Sequence, residues 1–182
     1  MKTRFTWITL MVLLVGGSLF TLMTSCDKLQ NAADFKVKYK LPNRTFTIDS
    51  LNHLKTEQLL YSHSYTANID SILGANNGLL GNASFYLLQM SVVSPDWVTL
   101  DWLTSARITI TPTGGAPIEV ATTTSVNPIT RIVNFEVKNI DVASAITGPF
   151  VVNLYGNLSG PIPSGSIQML LQSGIEITVS PL

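Results

Sequence analysis

Period-two alternation of apolar and polar residues constrains this chain more than any other feature. Phe35, Val37 and Tyr39 take turns with Lys36, Lys38 and Lys40, so a strand through them has one apolar face and one cationic face. Ala106, Ile108 and Ile110 oppose Arg107, Thr109 and Thr111. Val133, Phe135 and Val137 oppose Asn134, Glu136 and Lys138, and Ile175, Ile177 and Val179 oppose Glu176, Thr178 and Ser180. A helix cannot use this pattern, because side chains two apart lie on different faces of it. Each such run predicts a half-buried antiparallel strand with one wet face.

Two further runs, Phe85 to Val93 and Phe150 to Tyr155, are apolar on both faces and predict central strands. Turn signals separate the runs. Gly114-Gly115-Ala116-Pro117 predicts a hairpin between 106–112 and 117–123, and Leu41-Pro42-Asn43 interrupts the first run before Arg44 to Ile48. Asn127-Pro128, Gly148-Pro149, Gly160-Pro161 and Ser164-Gly165 mark other breaks. Strands spaced this way, about seven to nine of them, point to an all-β fold: a single antiparallel β-sandwich over residues 34–182. Helix is expected only in short pieces, at Asp49 to Leu54, Asp70 to Leu73 and Asp96 to Leu103.

Composition narrows the functions open to such a sandwich. The 182 residues carry zero formal net charge, and only 12% are Asp, Glu, Lys or Arg. Polarity comes instead from Ser, Thr and Asn. That excludes a nucleic-acid-binding surface, which needs concentrated positive charge. Most basic residues fall early, from Lys28 to Lys55, as either the solvated face of a first strand or a basic edge beside anionic headgroups. The single cysteine allows no intrachain disulfide.

The position of that cysteine has an explanation. Met1-Lys2-Thr3-Arg4 is basic, Phe5 to Met23 is uncharged and largely apolar, and Thr24-Ser25 leads into Cys26. These are the parts of a secretory signal. Met23-Thr24-Ser25-Cys26 resembles the lipobox of bacterial lipoprotein precursors, with Met23 where that pattern most often has Leu. Relaxed versions of this kind look like those of Bacteroidetes-type envelope lipoproteins. The resemblance implies cleavage after residue 25, acylation of Cys26 by diacylglycerol and palmitate-type chains, a tether over 26–33, and stable membrane attachment through two or three chains. It also implies a cell-envelope location, expected at the outer membrane, with the face left open by the single acid, Asp27, after the cysteine. Asp49-Ser50-Leu51 and Asp70-Ser71-Ile72 resemble the Asp-Ser/Thr-apolar motif O-glycosylated on exported proteins of such cells, so Ser50 and Ser71 are candidate acceptors.

No catalytic constellation assembles from the rest. There is no GxSxG elbow, and Ser62-His63-Ser64 places neighbours on opposite strand faces. His53 and His63 lack any metal-binding context, and Asp70, Asp96, Asp101 and Asp141 fit helix capping better than calcium or glycosidase chemistry. Trp97 and Trp102, five apart, fall on different faces, whereas Tyr61 and Tyr65 share one and read as a packing pair. The expectation is therefore a mature domain with no catalytic residue, metal or cofactor, monomeric in itself. It would act as a membrane-anchored binding or assembly module, with an envelope protein as a candidate partner. The alternative is a glycan-binding or glycan-active accessory lipoprotein, suggested by the Trp97–Trp102 loop and the scattered aspartates.

Overall fold

In the computed structural model, residues 34–49, 57–75, 78–163 and 165–181 are described. Cys26, the signal segment, Ser50, His53 and most of the short helix expected at 49–54 lie outside them. The described residues form ten strands and two short helices. In chain order these are β1 (Phe35–Lys40), β2 (Arg44–Asp49), β3 (Gln58–Thr66), α1 (Ile69–Ala75), β4 (Gly78–Ser94), β5 (Leu103–Pro112), β6 (Ile118–Thr123), β7 (Ile132–Asn134), β8 (Glu136–Val137), α2 (Ala143–Ile146), β9 (Pro149–Leu158) and β10 (Ser166–Pro181).

Every strand pair is antiparallel, and the strands make two five-stranded sheets. One sheet runs β1-β10-β4-β7, with β2 also on β10; the other runs β3-β9-β5-β6-β8. Matched position by position, β2-β10-β4-β7 and β3-β9-β5-β6 place sequence neighbours opposite one another. The chain is thus wound as a jelly roll, the double-sheet form of the antiparallel sandwich.

Burial follows the alternation. On β10 the inward residues Ile167, Met169, Leu171, Ile175, Ile177 and Val179 are each at most 1% exposed, while Glu176, Thr178 and Ser180 lie on the other face. The two runs apolar on both faces, in β4 and β9, are interior strands of their sheets, as their composition requires. β1 and β2 pair with successive halves of β10, so Leu41-Pro42-Asn43 interrupts one edge strand without reversing it. Pro42 has no N–H for the ladder, and Leu41 turns into the core while its own N–H reaches Ser173 O at 3.0 Å. The β5–β6 hairpin forms as expected, with Gly114 at φ +75°, where a side chain would be strained.

Three local expectations are corrected. Residues 96–102 are turns, not helix, because Val98, Leu100 and Trp102 are buried with period two. Leu100 N–H bonding to Thr130 O at 2.9 Å holds that segment extended against residue 130. The strand through residues 132–137 is split: β7 pairs with β4 in one sheet and β8 with β6 in the other. At the crossing, Phe135 N–H bonds to Leu88 O at 3.0 Å. Thr109, expected on a wet face, is 2% exposed, since β5 lies between β9 and β6 and both neighbours cover it.

Candidate binding grooves on the sandwich surface

Outward residues of three neighbouring strands build the larger groove, about 330 Å³ in volume. Lys36 comes from β1, Glu176 and Thr178 from β10, and Asn82 and Ser84 from β4. Asn139 and Asp141 reach it from the segment after β8. That segment lies along β4 beyond the end of β7, with Val142 N–H bonded to Ala83 O at 2.7 Å. Asp141 secures the join, because its Oδ1 accepts from Ala83 N–H at 3.0 Å and from Ala143 N–H at 2.9 Å.

Both carboxylates of this groove are held ionised. The two backbone N–H groups keep Asp141 below the ordinary carboxylate range. Glu176 is lowered by Lys36, whose Nζ donates to Oε1 at 2.7 Å, with Lys38 Nζ at 3.8 Å from the other oxygen. A glycosidase pair needs one carboxyl kept protonated near neutral pH, and neither of these is raised. The same contacts engage two of the early lysines within the sheet, and Lys38 also lies over the Tyr86 ring at 5.0 Å.

A smaller groove of about 200 Å³ opens at the end of the sandwich where β6 runs out and β7 begins. Its walls are Thr123, Ser125, Asn127, Thr130, Ile132 and Asn134, over Val126 and Val133. Asn127 shapes the loop: its Oδ1 accepts from Ile129 N–H, and its carbonyl accepts from the Thr130 hydroxyl at 2.9 Å. No charged side chain lines this groove.

The residues singled out by sequence are dispersed. Trp97 is 67% exposed, whereas Trp102 is 2% exposed and part of the core, so they form no common platform. Ser71 is exposed in the first turn of α1, and the helix is capped by Asn68, whose Oδ1 accepts from Ser71 N–H at 3.2 Å, not by Asp70. Asp96 and Asp101 are exposed, and Asp96 lies 3.8 Å from Arg131. Among the described residues, no three His, Cys, Asp or Glu side chains converge as metal ligands.

Tyr61 and Tyr65 do share a face, together with His63. The rings continue from Phe46 through Tyr61, His63 and Tyr65 to Phe150 at centroid spacings of 4.4, 6.1, 5.1 and 6.0 Å. This stack closes the side of the sandwich where β2 and β3 meet. His63 is thereby a packing residue. Burial, and then the nearby Tyr61 hydroxyl, push the Tyr65 phenol above its ordinary value. The Arg44 guanidinium, 5.6 Å from the Tyr65 ring centre, opposes that shift. Arg44 Nε and the two hydroxyls are buried without completing a hydrogen bond.

On the outer face of the other sheet, Arg107 bonds both Glu57 oxygens at 2.6 Å and lies 4.4 Å from the Tyr155 ring. Lys138 pairs with Glu119 at 2.6 Å. These charges satisfy one another, and the Arg107 guanidinium holds Glu57 below its ordinary value.

Sequence reading missed both grooves. Their walls are mostly Asn, Ser and Thr, which are everywhere in this chain and carry no spacing signal.

No protein-family model and no curated protein matches the sequence. Solved structures that are similar include a chain of Desmodium yellow mottle tymovirus, 18% identical at a TM-score of 0.28, covering 82% of this chain and 89% of that one. Another is from turnip yellow mosaic virus, 15% identical at a TM-score of 0.25, covering 81% and 94%. Overlaps at those scores carry no argument about this protein.

Proposed function

We propose that this protein is a lipid-anchored lipoprotein of the cell envelope whose sandwich serves as a binding or assembly module without enzymatic chemistry. The observation that carries the reading is the sole cysteine, Cys26, which follows a basic start, an apolar run and two small residues. Strand β1 begins at Phe35, so only a short tether separates that cysteine from the sandwich. The grooves favour the binding half of the proposal: they offer amides, hydroxyls and ionised carboxylates, which suit recognition better than proton transfer.

Metabolic labelling with a radioactive fatty acid tests the anchor. Wild-type protein is expected to incorporate label and fractionate with membranes, and Cys26→Ala to do neither. Equal labelling of the two would end the lipoprotein reading. The alternative, a glycan-binding or glycan-active accessory lipoprotein, is favoured by one specific observation, the exposed indole of Trp97 on a turn hydrogen-bonded to the loop that carries the smaller groove.

A further inference from the structure

The end of the sandwich that carries the smaller groove is distant from the point where the chain enters the fold. Phe35 pairs with Val179, and Val179 pairs with Leu80 near the start of β4. From Leu80, β4 runs on to Gln89, Met90 and Ser91, which pair with the groove residues Asn134, Val133 and Ile132, so at ~3.3 Å per residue the groove lies roughly 30–35 Å away.

Two segments meet there. The turn carrying Trp97 is tied to the groove loop by Leu100 N–H on Thr130 O at 2.9 Å and by Arg131 Nη2 on Pro95 O at 3.4 Å. Trp97 is 67% exposed, although an indole is costly to leave in water. The groove on the loop tied to that turn has an apolar floor, Val126 and Val133, under uncharged polar walls. Those walls keep hydrogen-bonding capacity. Asn127 and Asn134 accept with their Oδ1 atoms from Ile129 N–H and from Gln89 Nε2, so the Nδ2 groups are what they have left to donate.

A ligand suited to the groove itself, which no charged side chain lines, would carry hydroxyl or carbonyl acceptors and also present apolar C–H faces to an indole. Pyranose rings have that combination. A protein partner would instead favour one continuous apolar patch, and here the exposed Val93, Trp97, Ile129 and Ile132 alternate along the chain with the polar Asp96, Asn127 and Thr130. We propose that this end of the sandwich binds a neutral saccharide chain, one ring stacked on Trp97 and its neighbours hydrogen-bonded by Asn127 and Asn134 along the groove. The proposal rests on the binding-module reading but not on the lipid anchor, which fatty-acid labelling tests separately.

Isothermal titration of the full chain, in a polyoxyethylene detergent that contains no sugar, would use maltohexaose, xylohexaose, mannohexaose and chitohexaose as probes. At least one is expected to bind with a Kd below about 10 mM. Trp97→Ala should weaken that binding by about tenfold or more, with Asn127→Ala and Asn134→Ala each weakening it by a smaller factor. Asn82→Ala, in the larger groove, should leave it unchanged. Thermal unfolding checks that Trp97→Ala remains folded, as its exposure implies. Absence of binding by all four sugars, or binding that survives Trp97→Ala, overturns the proposal. Self-association that is lost in Trp97→Ala, without sugar binding, would make the end a protein interface and overturn it equally.

Discussion

Phe135 sits where the chain leaves one sheet for the other, so replacing it tests both the register and the split of this segment. Its side chain is 7% exposed, and Val133 on the β7 side is 5% exposed. A phenylalanine buries roughly 180 Å², worth about 4 kcal/mol at ~25 cal/mol per Å². Truncation to alanine keeps about 1 kcal/mol of that through the remaining methyl group. The cavity left behind adds to the loss, because the backbone here is fixed by bonds on both sides and cannot collapse: Phe135 N–H to Leu88 O, and Lys138 N–H to Val120 O at 2.8 Å. Phe135→Ala should therefore cost about 3–5 kcal/mol. Glu136, one residue on, is exposed, and Glu136→Ala should stay within about 0.5 kcal/mol. Urea unfolding of the chain from residue 30 onward, followed by far-ultraviolet circular dichroism, measures both changes under one condition. A larger loss for Glu136→Ala, or a loss below about 1 kcal/mol for Phe135→Ala, would refute the inward placement of Phe135.

Acid should weaken the fold through Asp141, Glu57 and Glu176, all lowered in the folded state by N–H, Arg107 and Lys36 respectively. Because the unfolded chain takes up those protons first, their contribution is complete above the ordinary carboxylate range and is lost as pH falls through the lowered folded values. Thermal unfolding from neutral pH to about pH 3 should show it; Asp141→Asn should be less stable than wild type at neutral pH and converge with it in acid, and parallel curves would refute the assignment. Tyr65→Phe removes a buried hydroxyl that completes no hydrogen bond, so it should change stability by no more than about 0.5 kcal/mol or raise it slightly. A loss above about 1.5 kcal/mol in urea unfolding would show that the hydroxyl holds Arg44 or Tyr61 after all.

What could be read from sequence, and what could not, divides along the range of the interactions. Alternation is a local property of one strand, decided by which side chains can share a face, so β1, β5 and β10 are visible in residue order alone, as β4 and β9 are from their apolar runs. Turn residues are local too, which is why the hairpin at Gly114 was legible. Where local preference competes with a partner distant in sequence, residue order is silent. The segment after Pro95 has the start of a helix, yet it is held extended by residue 130. The alternation from Val133 to Val137 is unbroken, and nothing in it says that the first half pairs with Met90 and the second with Ala121.

Grooves stand further still along that scale. Lys36, Ser84, Asp141 and Glu176 are met in one place only because the jelly-roll winding sets β1, β10 and β4 side by side and lays the segment after β8 against the free length of β4. Asp141 shows the effect on a single residue. By sequence it reads as a helix cap, but α2 begins at Ala143 with Val142 as its N-cap and no side-chain cap bond, so Asp141 lies one residue before the cap while accepting from Ala143 N–H. Its bond to Ala83 N–H, 58 residues away, makes it also the fastening of the groove wall. The charge of that carboxylate is therefore fixed by the fold: the larger groove carries two ionised carboxylates beside Lys36, whereas no charged side chain lines the smaller one.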